Sequence, residues 1–163
     1  MAEGGQPGDE QFPGVDRAYD FVLPSYQWAL QRFEAIDSRL QTLQTFSATL
    51  TIASPVIVAT VVDEPDFRSA WFGLAIASFV LLVATSALAR AWGAITVANP
   101  AELDRAWLDY SENEFKRNAI YWAGQHFEAN ARVTYWKGWA LNLMTALFLA
   151  EMLLLLVWAI GEV

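Results

Sequence analysis

Residues 139–160 read WALNLMTALFLAEMLLLLVWAI, a stretch that is apolar almost throughout and carries one carboxylate, Glu151, near its middle. An α-helix rises about 1.5 Å per residue, so about 20 residues cross a hydrocarbon core of about 30 Å. Trp139 and Trp158 lie near the two ends of the stretch, and indole rings prefer the membrane interface. The stretch therefore predicts a transmembrane helix that carries a buried acid.

The composition also favours a membrane protein. The 163 residues are 55% hydrophobic and 17% charged, whereas soluble domains carry about 25% charged residues. This length suits one small helical bundle. The net charge of −8 argues against a nucleic-acid partner, which would require a basic face. The chain has no Cys, which excludes disulfides, thiolate metal sites and Cys nucleophiles.

The N-terminal part predicts a tail followed by a long helix. Residues 1–14 are rich in Gly, Pro and acids and predict a disordered tail. Residues 15–41 predict a cytosolic helix, in which a first turn or two end before a new helix start at Pro24. Residues 42–62 carry no charge and predict a first transmembrane span, continuous with this helix. Apolar or small side chains form a seam along one face of the water-exposed part, at Ala29, Phe33, Ile36, Leu40 and Leu43.

The C-terminal part predicts two more spans around a helical hairpin. Residues 63–69 predict an external acidic turn, residues 70–91 a second span, and residues 92–138 a cytosolic hairpin. In that hairpin, Asn99-Pro100 predicts a short helix over residues 100–109. The S-x-x-E sequence at 111–114 predicts the start of a long helix that continues into the third span, 139–160. Its seam has heptad spacing and contains Phe115, Ala119, Trp122, His126, Ala129, Val133 and Trp136 before the span.

The predicted fold class is all-α: an integral membrane helical bundle with three transmembrane helices and a cytosolic extension, made by two long helices with heptad-like seams. Basic residues set the orientation. They concentrate in residues 1–41 and 90–138, whereas the turn 63–69 has only Arg68 and residues 161–163 have none. We therefore predict a cytosolic N-terminus, an external turn and an external C-terminus, in the inner membrane of a bacterium.

Glu151 is the first candidate for function. A carboxylate in the middle of a span costs about 2.5–3.5 kcal/mol on insertion scales, and such residues usually face a protein interior or an aqueous path. Counting from the outer end of each span places Ser54 and Ser78 near its depth and Thr51 one turn deeper, as possible polar partners. Glu151 then serves either an ion or proton path, including a pore-lining ring made by several subunits, or a hydrogen bond that holds the bundle together.

Other candidate residues are a hinge and a packing surface. Pro55 removes one helix hydrogen bond and predicts a kink, which is either a gating hinge or ordinary packing. The only His, His126, is either a pH-sensitive contact or a packed member of the seam. The cytosolic packing or partner surface is predicted at Asp37, Phe115, Trp122, His126, Asn130 and Trp136. No sequence motif for catalysis, metal binding or a dinucleotide is present, so we predict no catalytic residue, no metal and no cofactor.

Two short motifs resemble a known family. Residues 32–46, RFEAIDSRLQTLQTF, run directly into the first predicted span, and Asn130 and Lys137-Gly138 precede the last one. These motifs resemble small membrane effectors of bacterial antiphage systems, the Pycsar-type and related effectors. The resemblance implies a protein that oligomerises on a signal and damages the inner membrane, with Asp37 and Asn130 in cytosolic packing. The chain departs from the pattern at residues 38–40, Ser-Arg-Leu, where the family has a Lys-Ala pair.

Three helices cannot enclose a water-filled pore, so conduction requires a homo-oligomer in the lipid bilayer. The leading prediction is a small oligomeric inner-membrane protein that forms or gates a pore, as a membrane-disrupting effector. The alternative is a non-conducting scaffold or accessory subunit, which binds a protein partner through its cytosolic helices.

Overall fold

The computed structural model describes residues 14–91, 93, 95–96 and 109–162. This part of the chain contains three α-helices and no β-strand, so the predicted all-α class is confirmed. The helices are α1 (Val15–Val58), α2 (Ala70–Ala91) and α3 (Glu112–Glu162). The predicted disordered tail and the short helix at 100–109 lie outside the described residues, apart from Gly14 and Asp109.

The first long helix begins at Val15, as predicted for residues 15–41, but it differs from the prediction at Pro24 and at its C-terminal end. Helix α1 passes through Pro24 without a break, because a proline removes only one hydrogen bond, here to the carbonyl of Asp20, a residue exposed to water. The helix ends at Val58 and not at residue 62. There the Thr60 backbone N–H donates to the Ile57 carbonyl and the Val61 N–H to the Val58 carbonyl, both at 3.0 Å, so the chain leaves the α-helical bonding pattern in a tight turn.

The start of α3 agrees with the predicted capping box. The Ser111 backbone N–H donates to Glu114 Oε2 at 3.1 Å, and the Glu114 N–H donates to Ser111 Oγ at 3.4 Å. These reciprocal bonds satisfy two donors that a helix start leaves unpaired. Local sequence was sufficient to place this boundary.

The chain divides into two compact modules, each of which contains parts of α1 and α3. The first module comprises Met1–Phe33 and Ala94–Val133, and the second comprises Glu34–Gly93 and Thr134–Val163. In the first module, Lys116 Nζ donates to Asp16 at 2.8 Å, and the rings of Tyr26 and Trp122 meet edge to face at 5.9 Å. The α1 and α3 segments of this module therefore run in the same direction.

In the second module, α1 and α3 are parallel and α2 is antiparallel to both. Asp37 bonds Lys137, and Thr51 bonds Glu151; each pair is 100 residues apart in sequence. An unchanged offset along two helices requires that they run side by side in the same direction. Each of two apolar clusters includes side chains from all three helices. The first contains Ile36, Leu40, Leu82, Ala89, Ala140 and Met144. The second contains Val58, Ala75, Leu155 and Trp158.

The buried face of α3 has the predicted heptad period but a different register. Residues at intervals of seven are buried: Asn130, Lys137, Met144, Glu151 and Trp158. The predicted seam, which continues through Leu143, Ala150 and Val157, used the preceding residues, and three of these, Ala129, Trp136 and Val157, are exposed. The prediction was wrong because it selected apolar side chains, whereas three of the five buried positions are polar and have hydrogen-bond partners. Trp158, predicted at the membrane interface, is buried and donates to the Asp66 carbonyl at 3.1 Å.

The second module buries several polar side chains within its apolar core and exposes apolar side chains on its surface. Ser47, Ser86, Lys137 and Glu151 are buried. Large apolar side chains cover its surface and are each at least half exposed, among them Ile52, Val56, Val80, Leu81, Leu153 and Ile160. Two described helices, α2 and α3, are long and apolar enough to cross a membrane. The predicted first span, 42–62, does not meet the same test, because α1 ends at Val58 and its last turns contain several Thr, Ser and Gln residues.

Candidate functional site

Glu151 on α3 is fully buried and is bonded by two hydroxyl groups of α1. Ser47 Oγ contacts Glu151 Oε2, and Thr51 Oγ1 lies 2.5 Å from Oε1. Ser47 and Thr51 are one helical turn apart, so both hydroxyls are on the face of α1 that meets α3. We call these three residues the Glu151 cluster.

The Glu151 cluster lies between two apolar layers. One is the cluster around Leu40, Leu82 and Met144, and the other is the cluster around Ala75 and Trp158. Hydrogen bonds in such a low-dielectric interior are strong, and a polar group without a partner is correspondingly costly. Among the described residues, no buried side-chain nitrogen or oxygen lacks a hydrogen-bond partner.

The cluster can accommodate either a neutral or an ionised Glu151. Thr51 has one hydroxyl hydrogen and two acceptors nearby, the Ser47 carbonyl at 3.0 Å and Glu151 Oε1 at 2.5 Å. With an ionised carboxylate, both hydroxyls donate to it. With a protonated carboxyl, Glu151 donates to Thr51, and Thr51 donates to the Ser47 carbonyl. The carboxyl and the two hydroxyls can therefore satisfy one another by hydrogen bonds in either arrangement.

Of the three predicted partners of Glu151, Thr51 contacts it, whereas Ser54 and Ser78 do not. Sequence reasoning omitted Ser47. The error has a geometric cause, because depth was counted from residue 62 and α1 ends at Val58. These four residues amount to about 6 Å along a helix, or one turn. Pro55, the predicted hinge, is half-buried and is followed by three further helical residues.

A buried ion pair lies nearer the N-terminal end of the module. Lys137 Nζ donates to both carboxylate oxygens of Asp37, at 2.8 and 3.0 Å. The Lys137 side chain is 5% exposed, whereas that of Asp37 is 40% exposed. The pair therefore reaches water through Asp37, while the Lys137 ammonium group is buried beside it.

A second polar group joins α1 to α2. Gln44 Oε1 accepts from Ser86 Oγ at 3.0 Å and from an Arg90 guanidinium nitrogen at 3.2 Å. Sequence reasoning assigned none of these three residues to a site. The available signal was the presence of Gln44 and Ser86 in otherwise apolar stretches.

In the first module, the predicted surface residues have different surroundings. Asn130 is buried and holds the Thr96 backbone from both sides: its Oδ1 accepts at 2.9 Å and its Nδ2 donates at 3.2 Å. His126 is half-buried, and its ring lies 4.6 Å from that of Trp122. Phe115 is also half-buried. In the second module, Trp136 is exposed beside Tyr135 and Trp139.

Ionic contacts at the start of α3 shift two pKa values. The backbone N–H of Ser111, then its hydroxyl, and more weakly Arg117 lower the pKa of Glu114. Hydrogen bonds from Lys116 to Asp16 and Glu112 raise the pKa of the Lys116 ammonium group. Both shifts favour the charged form. Of these contacts, Lys116–Asp16 joins α3 to α1 within the first module, whereas the Glu114 contacts lie within the start of α3.

Aromatic side chains protrude from the first module. Trp28, Tyr121 and Phe127 are 61%, 66% and 56% exposed. Arg32 lies over the Trp28 ring at 5.5 Å. Aromatic and Arg side chains of this kind are enriched where proteins bind other proteins.

No group of three or more His, Cys, Asp or Glu side chains is placed to hold a metal ion in the part of the chain that the structure describes. Comparisons of the chain with protein-family models, curated proteins and solved structures find no match. The geometry of the described residues therefore carries the functional argument.

Proposed function

We propose that the chain is an integral protein of the bacterial inner membrane with three spans, a cytosolic N-terminus and an external C-terminus. The parallel packing of α1 and α3 supports the first span, on α1. A constant offset of 100 residues pairs Asp37 with Lys137 and Thr51 with Glu151. If the apolar half of α3 lies in the bilayer, the adjacent segment of α1 lies at the same depth.

The distribution of polarity supports the membrane location. In α2 and α3, only 22% of the most apolar 18-residue stretch is buried inside the protein. The core helix of a soluble protein would be mostly buried, and an apolar surface of this size in water would drive aggregation. The hydrocarbon core of a membrane is a solvent in which such an exposed apolar surface is stable.

Within that membrane we propose that the protein forms or gates a pore as a homo-oligomer, and acts as a membrane-disrupting antiphage effector. The observation that carries this proposal is the fully buried Glu151 cluster. Its carboxyl and hydroxyl groups lie at mid-span and are closed off by contact between α1 and α3. Separation of those helices in an oligomer would expose the carboxyl and hydroxyl groups, which can line a water path.

The test is the leakage of dye-loaded liposomes, together with the mass of the protein in nanodiscs. We expect a discrete oligomer and leakage from the native chain. Glu151→Gln should lower leakage while the oligomer mass stays unchanged, because Gln still bonds both hydroxyls but cannot ionise. The matched control is Ser54→Ala, which alters a neighbouring hydroxyl that does not contact Glu151. A monomer that never causes leakage would contradict the pore, and unchanged leakage in Glu151→Gln would contradict the role of the acid.

The exposed aromatic side chains favour a second candidate, a non-conducting scaffold or accessory subunit that binds a protein partner. Tyr121 is the sharper test of this candidate, because Trp122 packs against Tyr26 and His126. Tyr121→Ala should abolish co-purification of a partner without unfolding the module, whereas Trp122→Ala should also destabilise it. A partner retained by Tyr121→Ala would contradict this surface.

A further inference from the structure

A groove with a polar end and an apolar end opens on the surface of the second module, between α1 and α2. It has a volume of about 410 Å³. Its lining includes Gln41, Gln44, Thr45, Thr49, Ile52 and Arg90. We propose that this groove binds an anionic phospholipid, with the phosphate at Arg90 and Gln44 and an acyl chain towards Ile52. The proposal rests on the membrane location proposed above and is independent of pore formation.

The polar end of the groove carries hydrogen-bond donors. Arg90 lies in the last turn of α2 and is exposed. Gln44 Oε1 already accepts bonds from Ser86 and Arg90, which leaves the Gln44 amide nitrogen as a donor towards the groove. A guanidinium group beside an amide N–H₂ group is a suitable pair of donors for phosphate oxygens.

Charge complementarity selects an anion. Among the described residues no carboxylate lies within ion-pair distance of Arg90, although Lys116 and Lys137 both have carboxylate partners. The hydroxyls of Thr45 and Thr49 donate back to the carbonyls of α1, at 3.0 and 2.9 Å. These two hydroxyls therefore add no charge to the groove, and their hydrogens are already used within α1. A positive charge therefore remains at this end of the groove without a protein counter-ion in the described residues.

The change of polarity along the groove selects a lipid over a free phosphate ion. Ile52 is three turns beyond Gln41 on α1 and is 70% exposed. In the proposed orientation, Arg90 is at the cytosolic edge of the membrane and Ile52 is deeper. Lys and Arg side chains at this level commonly bind anionic headgroups. A lipid can satisfy both ends of the groove at once, whereas inorganic phosphate can satisfy only the polar one.

Native mass spectrometry of the full chain in detergent tests the proposal, with titration of phosphatidylglycerol or phosphatidylcholine of identical acyl chains. We expect a single phosphatidylglycerol molecule to bind about tenfold more tightly than phosphatidylcholine does. This ratio corresponds to a difference of about 1.4 kcal/mol in binding free energy. Arg90→Gln should abolish this preference. Arg39→Gln, which removes the same charge from an exposed position outside the groove, should retain it.

A second variant tests the shape of the groove without altering charge. Ala48 also lines the groove, and Ala48→Phe should fill it and lower binding of both lipids while the helical circular dichroism spectrum stays unchanged. Equal binding of the two lipids by the native chain, or a preference that survives Arg90→Gln, would overturn the proposal. Competition by millimolar inorganic phosphate alone would identify an anion site that does not recognise lipid, which also overturns it. Incorporation into nanodiscs, measured separately, reports on the membrane location itself.

Discussion

At Glu151, loss of the side chain and loss of its charge are different perturbations. Glu151→Ala removes the acceptor of the Ser47 hydroxyl and leaves a cavity in an apolar layer. We expect it to lower the free energy of unfolding by about 2 kcal/mol, since an unsatisfied buried polar group costs about 1–3 kcal/mol. Glu151→Gln retains an oxygen for Ser47 and a donor for Thr51, and should lose less than about 1 kcal/mol. Reversible unfolding in detergent micelles measures both values.

Two Ser variants on α1 provide the matched comparison for Glu151. Ser47→Ala should lose about 0.6 kcal/mol, the average for hydrogen bonds between helices in a membrane protein. Ser54→Ala, which has no contact with Glu151, should stay within about 0.5 kcal/mol of the native chain. If Glu151→Gln were as damaging as Glu151→Ala, the hydrogen-bonding account of the cluster would be wrong.

The Asp37–Lys137 pair predicts an asymmetry between its two halves. Asp37→Ala removes the carboxylate that bonds a Lys137 side chain which is only 5% exposed. Removing one partner of a buried pair costs about 3–5 kcal/mol, and we expect the lower end of that range. Lys137→Met leaves Asp37, which is 40% exposed and can be hydrated, so the loss should be about 1 kcal/mol. Chemical denaturation of the two variants in one detergent gives the order, and the reverse order would contradict the burial assigned to Lys137.

The hydrogen-bond partners of Glu151 could be predicted from the sequence only as accurately as the ends of the helices could. The depth count placed Ser54 at the level of Glu151 and Thr51 one turn deeper, and it did not select Ser47. The count was one turn out because α1 ends at Val58 in a tight turn of backbone bonds. Ionic partners 100 residues apart, such as Asp37 and Lys137, have no local signal in the sequence.

At the scale of the helix, the heptad spacing of the buried residues of α3 could be predicted. Which residue of each heptad is buried could not. A heptad of apolar residues identifies a helix that packs along one face, and α3 does so. The choice between Trp136 and Lys137 for the buried position depends on Asp37, which lies on another helix. An inference based on hydrophobicity alone therefore selects the wrong residue at each position where a polar pair is buried.

The start of α3 predicts a dependence on acid pH. The Ser111 backbone N–H holds the pKa of Glu114 below its ordinary value of 4.5. Because the folded pKa is lower than the unfolded one, the capping box contributes its stability above pH 4.5 and loses it as pH falls through the folded pKa. Carbon NMR titration of the Glu114 carboxyl group should give a midpoint below 4.5.

Ser111→Ala is the control for this titration. It removes the hydroxyl bond but retains the backbone donor, so the midpoint of Glu114 should rise part of the way towards 4.5. The first turn of α3 should then fray at a higher pH than in the native chain. A midpoint at or above 4.5 in the native chain would show that the capping box is not formed in solution.

At the scale of the whole molecule, the proposed first span rests on how α1 packs and not on its hydropathy. Only α2 and α3 are apolar enough to cross a membrane by composition. Helix α1 carries Ser47, Thr51 and Gln44, which lower its hydropathy but lie against Glu151 and Arg90. A span whose polar side chains are matched inside a bundle does not need to be apolar on every face.

A two-span and a three-span topology place the start of α1 on opposite sides of the membrane. Because the chain has no Cys, single-Cys labelling can distinguish them. With three spans, an impermeant maleimide added to intact cells should label Asp63→Cys only, while Gln27→Cys and Gln125→Cys react after lysis. With only α2 and α3 in the membrane, Gln27→Cys would lie on the same side as Asp63→Cys and both would react in intact cells. All three positions are exposed in the structure, so burial within the protein does not account for protection. Labelling of Gln27→Cys from outside would therefore overturn the first span, together with the depth of the Glu151 cluster that depends on it.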